Sequence, residues 1–263
     1  MTEGGVKHLE IAASLGRLTL YRIQVLGRSG IFIAIAIVQA FLPPFRISRL
    51  IKEIDFIGSK SFLIIFVTAL FTGMVLGIQG YYSLSQFGAE AALGVMVALS
   101  IIRELGPVLC ALMVTGRAGS AIAAELGIMK ITDQFPALEM MAIDPLKYAV
   151  SPKVMAGIIC LPLLTAFFDL VGIAGGYLVG VNLLGVNEGA YIGRLTAAVT
   201  FRDIYGGIIK SICFGLLITW IATFMGYTAE ATTEGVSRAT TNTVVLTSLS
   251  ILVVDYILTS LLL

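Results

Sequence analysis

Charged side chains are scarce in this sequence of 263 residues, and histidine occurs once, as His8. Asp, Glu, Lys and Arg make up 13% of the chain, whereas hydrophobic residues make up 58%. With a mean hydropathy of +0.98, a water-soluble fold would have to expose large apolar patches, which soluble proteins avoid. The chain is therefore predicted to be an all-α integral membrane protein.

Motifs of catalytic and nucleotide-binding sites are also missing. The sequence contains no GxxxxGK[ST] phosphate cradle, no HExxH zinc motif and no GxSxG nucleophile elbow. The three cysteines lie in separate apolar runs and indicate neither a disulfide framework nor a metal site. The net charge of +1 argues against a nucleic-acid partner. We expect no catalytic residue and no bound cofactor, so another polypeptide must supply any ATP hydrolysis.

Five apolar runs are long enough to cross a bilayer, which takes about 20 residues of helix. They cover residues 62–84, 93–115, 154–184, 206–227 and 243–262. Residues 60–263 are therefore predicted to form a transmembrane domain, with a long loop at residues 116–153.

The first 59 residues have a different character. Residues 6–28 place apolar side chains at helical spacing among basic ones, which is typical of an amphipathic helix on the membrane surface. Residues 30–42 form an apolar run that ends at Pro43-Pro44, short of a full crossing. Residues 1–59 are predicted to be interfacial or half-inserted.

Basic residues predict the orientation. Residues 1–60 hold eight of the 17 Lys and Arg residues and residues 116–153 hold four, whereas residues 82–91 hold none. Because basic residues are retained on the cytoplasmic side, the N-terminus and the loop at 116–153 are predicted to be cytoplasmic. Five spans then place the C-terminus outside.

Four charged residues lie inside the predicted spans: Arg103, Glu104, Asp169 and Asp255. An ion in hydrocarbon is costly and should face protein or water. Arg103 and Glu104 point about 100° apart on a helix, so they are predicted to have different partners. Two interpretations of this pair stay open, structural ion pairs with other helices or Glu104 lining a polar spot in an apolar cavity. A structural or membrane-edge role is favoured for Asp169 and Asp255.

Glycines at four-residue spacing favour close helix packing. Gly73 and Gly77 form one such pattern, and Gly172, Gly176 and Gly180 form two overlapping ones. Packing within one chain is favoured over a dimer interface, although the pattern does not identify the partner helix.

The predicted loop at 116–153 contains a helical pattern. Ile128, Ile131, Phe135 and Leu138 repeat at three and four residues, which predicts a short amphipathic helix. Asp144-Pro145 is predicted to cap and begin the next helix. Such an amphipathic helix lies on the bilayer or docks a partner, and periodicity does not choose between the two.

Several separated motifs resemble the MlaE (YrbE) family of ABC-transporter permeases. They are TGMVLGIQG at 72–80, RELGPV at 103–108, GRAGSA at 116–121, ELGIM at 125–129, MMAIDP at 140–145 and GVSRATT at 235–241. The resemblance covers residues 60–263. It implies a permease in the inner membrane of a diderm bacterium that carries phospholipid between the inner and outer membranes and maintains outer-membrane lipid asymmetry.

The resemblance also implies partners. The permease would work as a homodimer with two cytoplasmic ATP-binding cassette subunits, which alone bind ATP and Mg²⁺. A hexameric ring of periplasmic MCE-domain protein and, in many members, a STAS-domain subunit would complete the assembly.

The resemblance further implies two sets of functional residues. A lipid-binding cavity at the dimer interface would involve Leu76, Tyr81, Leu84, Phe87, Arg103 and Glu104. Coupling to the ATPase would involve Glu125, Ile128, Ile131, Asp133, Phe135, Leu138 and Asp144. The alternative function from the residues alone is an ion-coupled secondary transporter with an intramembrane charge relay, although no internal repeat supports it. A passive membrane scaffold is a third hypothesis.

Overall fold

The computed structural model describes the backbone of residues 3–40, 42–43 and 47–262, and side chains within these ranges at Leu20 and from residue 23 onward. Within this part of the chain, every regular element is helical. The α-helices are α1 (Glu3–Ala40), α2 (Ile47–Ile57), α3 (Phe62–Ser85), α4 (Leu93–Ser100), α5 (Gly106–Val114), α6 (Ser120–Ile131), α7 (Gln134–Met140), α8 (Ser151–Tyr177), α9 (Glu188–Ala198), α10 (Phe201–Thr228) and α11 (Thr233–Leu262). The all-α membrane fold is therefore confirmed.

Some helices join end to end through π turns, in which the backbone hydrogen bonds span five residues instead of four. The turns at Ile101–Leu105 and Thr115–Gly119 join α4, α5 and α6 into one helical segment, Glu90–Ile131. The second predicted span thus continues well beyond residue 115, and the prediction of a loop starting at residue 116 is wrong. The charged residues that suggested a loop are paired or lie near the end of the bundle, so they do not end the helix.

A sixth helical segment, Ile23–Ala40, is long and apolar enough to cross a membrane. In the sequence the apolar run begins only at residue 30, because Arg28 precedes it, but α1 continues unbroken through Arg28. The length argument for half-insertion therefore does not hold. Trp220 Nε1 donates to the carbonyl oxygen of Ser29 at 2.9 Å, which docks α1 on α10. The predicted amphipathic pattern at 6–28 lies mostly outside the described side chains, and the cytoplasmic N-terminus stays a prediction.

Small residues allow α3 and α8 to pack with their backbones in close contact. A Cβ added at Gly73 would lie 1.8 Å from the carbonyl oxygen of Gly172, and one added at Gly77 would lie 3.2 Å from that of Gly176. No side chain fits at Gly73, because the space is occupied by backbone of the neighbouring helix. The predicted packing within one chain is confirmed.

The bundle has two distinct ends. At one end, α6 approaches the C-terminal end of α10, where Lys130 Nζ donates to the carbonyl oxygen of Tyr227 at 3.2 Å. We call this the α7 end, because α7 follows α6 there. At the other end, α9 packs on α4, and Arg202 at the start of α10 donates to the carbonyl oxygen of Leu262 at 2.9 Å. We call this the α9 end.

Candidate functional site

A buried lysine lies at the centre of a charged cluster near the α9 end. Lys210 on α10 has a side chain only 3% exposed. Its Nζ donates to Glu104 Oε2 at 2.7 Å, to Thr259 Oγ1 at 2.7 Å and to the carbonyl oxygen of Arg103 at 3.0 Å. Asp255 Oδ1 lies 3.1 Å away, within ion-pair distance but without a hydrogen bond. Lys210 therefore joins α10 to α11 and to the π turn that carries Arg103 and Glu104.

Arg103 has a different partner from its neighbour. Its Nε donates to Asp203 Oδ1 at 2.7 Å. The other carboxylate oxygen of Asp203 accepts from the backbone N–H of Thr200 at 2.9 Å and from its hydroxyl at 2.7 Å, which caps α10. The prediction that Arg103 and Glu104 have separate partners is confirmed, and both are held by structural ion pairs.

Local backbone geometry makes this arrangement possible. Arg103 and Glu104 lie in the π turn Ile101–Leu105, where the wider turn changes the direction of successive side chains. A Cβ added at Gly207 would lie 2.8 Å from the carbonyl oxygen of Ile102. Glycine at 207 thus lets α10 approach this turn closely enough for Lys210 to reach Glu104 in the turn as well as Thr259 on α11.

The cluster borders a cleft of about 340 Å³. Its lining includes charged side chains of both signs and comprises Arg103, Glu104, Thr200, Arg202, Asp203, Gly206, Gly207, Lys210, Thr259 and Leu262. Lys210 is enclosed by its partners, whereas the Arg103 side chain remains 40% exposed. The cleft can therefore offer the exposed part of the Arg103 guanidinium to a negatively charged group, whereas the carboxylates beside it are already partnered within the chain.

Of the ten residues that line the cleft, sequence reasoning predicted only Arg103 and Glu104. Lys210, Asp203 and Thr259 were not among the predicted residues. Lys210 could have been found, because it is the only charged residue within the predicted span at 206–227. Asp203 and Thr259 gave no such signal, since one precedes that span and the other is an uncharged residue near the C-terminus.

The other predicted lipid-binding residues lie elsewhere on the chain. Leu76, Tyr81 and Leu84 are half-buried on α3, and Phe87 is 83% exposed just beyond it. None of these four borders the cleft in the described part of the chain. One copy of the chain thus brings Arg103 and Glu104 together but not the full predicted set.

The predicted coupling helix is two helices rather than one. Ile128 and Ile131 end α6, whereas Phe135 and Leu138 belong to α7. Between them, Asp133 has a left-handed backbone with φ 52°, which breaks the helical repeat. Phe135 and Leu138 are buried, with the Phe135 ring 4.8 Å from that of Tyr227. The prediction that these four residues share one apolar face of a single helix is wrong. Periodicity in the sequence cannot detect the change of direction between α6 and α7.

Two predicted coupling residues have partners within the chain. Asp144 Oδ1 accepts from the backbone N–H of Leu146 at 2.8 Å, and its other oxygen accepts from Gln39 at 2.5 Å. The predicted cap at Asp144 is confirmed. Glu125 Oε2 lies 2.7 Å from Lys153 Nζ, so the Glu125 carboxylate forms an ion pair within the chain.

Asp169 and Asp255 differ in their surroundings. Asp255 pairs with Lys210, in keeping with the structural role favoured for it. Asp169 on α8 borders a separate cavity of about 260 Å³, and its Oδ1 is buried without a hydrogen-bond partner in the described part of the chain. A relay of all four intramembrane charges is not supported, because Asp169 is absent from the cluster around Lys210.

Comparison with known proteins identifies the family. The profile described as "Permease MlaE" matches residues 50–261. The intermembrane phospholipid transport system permease protein MlaE of Haemophilus influenzae is 45% identical over 249 residues, covering 94% of this chain and 95% of that protein. A probable ABC transporter permease protein of Rickettsia bellii is 42% identical over 253 residues, covering 96% and 98% of the two chains. With its apolar helices and these matches, the chain is a multi-pass membrane protein that belongs to the MlaE permease family, whose members are transport components rather than enzymes.

Proposed function

We propose that this chain is the transmembrane permease subunit of an ABC transporter that moves phospholipid between the inner and outer membranes and so maintains outer-membrane lipid asymmetry. The observation that carries this proposal is the 45% identity, across 94% of the chain, to a permease named for intermembrane phospholipid transport.

The chemistry of the cleft supports a phospholipid substrate. A phospholipid combines a charged head group with apolar tails, so its site needs charged groups beside an apolar surface. The cleft of about 340 Å³ contains residues of both charges and exposes Arg103, which suits a phosphate-bearing head group. Leu76, Tyr81, Leu84 and Phe87 on and after α3 would contact the tails once a second copy completes the site.

The proposed assembly follows from the family. Two copies of the chain would bind two ATP-binding cassette subunits, which alone hold ATP and Mg²⁺, together with a periplasmic MCE-domain ring and, in many members, a STAS-domain subunit. The α7 end would face the cytoplasm of the inner membrane. Met140, the last residue of α7, and the next residue Met141 are exposed, and exposed methionines suit docking to a partner surface.

A transfer assay tests the function. The chain is reconstituted in proteoliposomes with its ATP-binding and MCE-domain partners, and a fluorescent phospholipid is followed into acceptor vesicles. We expect transfer that requires ATP and continues when the proton gradient is collapsed. The isolated chain should hydrolyse no ATP.

The matched control is the same complex with a hydrolysis-deficient ATP-binding subunit, which should transfer no more lipid than a sample without ATP. Transfer that ignores ATP and stops when the proton gradient is collapsed would contradict the proposal and favour the ion-coupled transporter.

A further inference from the structure

A second buried lysine lies toward the α7 end, away from the cleft. Lys153 near the start of α8 has a side chain only 1% exposed. Its Nζ donates to Glu53 Oε1 at 2.8 Å and to Glu125 Oε2 at 2.7 Å. Glu53 belongs to α2 and Glu125 to α6, so one cation joins three helices. A buried cation between two carboxylates favours one relative position of those helices, because losing either contact leaves a charge poorly compensated.

An arginine makes a second connection between the same parts of the chain. Arg117 lies in the π turn between α5 and α6. Its guanidinium donates to the carbonyl oxygen of Phe56 and to Ser61 Oγ, and lies 4.7 Å from the centre of the Phe56 ring. The helical segment Glu90–Ile131 thus contacts the junction of α2 and α3 directly through Arg117, and it is linked to α2 a second time through the ion pairs of Glu125 and Glu53 with Lys153.

These connections link the α7 end with α3, the helix proposed to contact the lipid tails. α6 leads directly into α7 at the break near Asp133, where the ATP-binding subunit is proposed to dock. α2 and α3 form one helical segment, Ile47–Ser85, which carries Leu76, Tyr81 and Leu84. A displacement of α6 would therefore act on the base of the segment whose other end is proposed to contact the lipid tails.

The surroundings of the cluster leave room for such a displacement. Glu53 and Glu125 border a cavity of about 430 Å³ that also contains Lys52 and Lys60. The Glu125 side chain is 49% exposed, in contrast to Lys153. Because Lys52 and Lys60 line the same cavity, they would offer the carboxylates a second cation if α6 moved.

We propose that Lys153, with Glu53 and Glu125, is a positioning cluster that transmits movement of α6 and α7 to the segment formed by α2 and α3. The proposal rests on the proposed function, since it assumes that an ATP-binding subunit moves α6 and α7. It gives Glu125 a role inside the chain, in place of direct contact with the ATP-binding subunit.

The test compares ATP hydrolysis with lipid transfer in the reconstituted complex. Glu125→Gln should keep ATP hydrolysis within about twofold of the unmodified complex but lower transfer by about fivefold or more, so more ATP is used per lipid moved. Lys153→Glu should lose transfer, and the exchanged pair Lys153→Glu with Glu125→Lys should recover part of it. The matched control is Glu188→Gln, which removes a carboxylate near the α9 end that accepts a hydrogen bond from Tyr177. It should leave both rates unchanged.

Hydrogen–deuterium exchange separates this proposal from the proposed function. In the complex with its ATP-binding partner, ATP should change the exchange of residues 47–61, and Lys153→Met should remove that change while the complex stays assembled. This readout needs no lipid movement, so failed transfer in the unmodified complex would count against the proposed function alone. The positioning role is wrong if the ATP response persists in Lys153→Met, or if hydrolysis and transfer in Glu125→Gln fall in parallel.

Discussion

Replacing Lys210 with methionine is expected to abolish ATP-driven lipid transfer and to lower the free energy of unfolding by about 3–5 kcal/mol. The side chain is 3% exposed and lies between Glu104 and Asp255. Methionine fills a similar volume but removes the cation, so two carboxylates are left close together without compensation. Thermal unfolding in detergent measures the loss of stability, and the transfer assay measures the loss of function.

Two further variants make this prediction specific. Arg194→Met removes an exposed basic residue on α9 and should change neither stability nor transfer. Adding Glu104→Gln to Lys210→Met removes one of the uncompensated carboxylates and should restore part of the stability. Full stability and transfer in Lys210→Met alone would show that the cluster does not hold α10 to the π turn.

Replacing Gly73 with alanine is expected to destabilise the fold by about 3 kcal/mol, the upper end of the usual range for overpacking. The added methyl would lie 1.8 Å from the carbonyl oxygen of Gly172, which is backbone and cannot rotate away. α3 and α8 would have to separate along their whole contact. The yield of folded protein in size-exclusion chromatography and its thermal unfolding measure the effect.

The control for this substitution is Gly193→Ala on α9. A Cβ at Gly193 meets nothing within 4 Å, and alanine is preferred to glycine within a helix. This variant should therefore be as stable as the unmodified chain or slightly more so. Equal behaviour of the two alanine variants would contradict the close backbone contact between α3 and α8.

The charged residues show what sequence alone can predict. A charge in an apolar span must find a partner, and adjacent residues on a helix point in different directions, so separate partners for Arg103 and Glu104 were predictable. The identity of those partners was not. Asp203 and Lys210 lie about one hundred residues further along the chain, and only the packing of α10 against the π turn brings them close.

The helices are longer than the apolar runs in the sequence predict. The length of an apolar run predicts where a chain can meet lipid, but a helix ends only where its backbone hydrogen bonds end. α1 therefore continues through Arg28, and the second long segment continues through Arg117 to Ile131. Arg117 and Glu125 are tolerated because each has a partner inside the bundle. Such partners are tertiary contacts, which the sequence does not reveal. A loop was therefore predicted where the structure has a helix.

The glycine patterns predicted that helices pack closely, but not which helix packs against which. Their spacing predicted close helix contact within the chain, which is confirmed. Gly73 and Gly77 face Gly172 and Gly176 because α3 and α8 lie alongside each other. Neither glycine pattern identifies its partner helix, because any helix face made of small residues would allow the same close approach.

Native mass spectrometry of the complex, purified in mild detergent, tests the central claim most directly. We expect an assembly with two copies of this chain, two ATP-binding subunits and retained phospholipid, and a loss of that lipid when the cleft is altered by Lys210→Met. A stable monomer that carries neither an ATP-binding subunit nor phospholipid would contradict the claim that this chain is the permease of an ATP-driven lipid transporter.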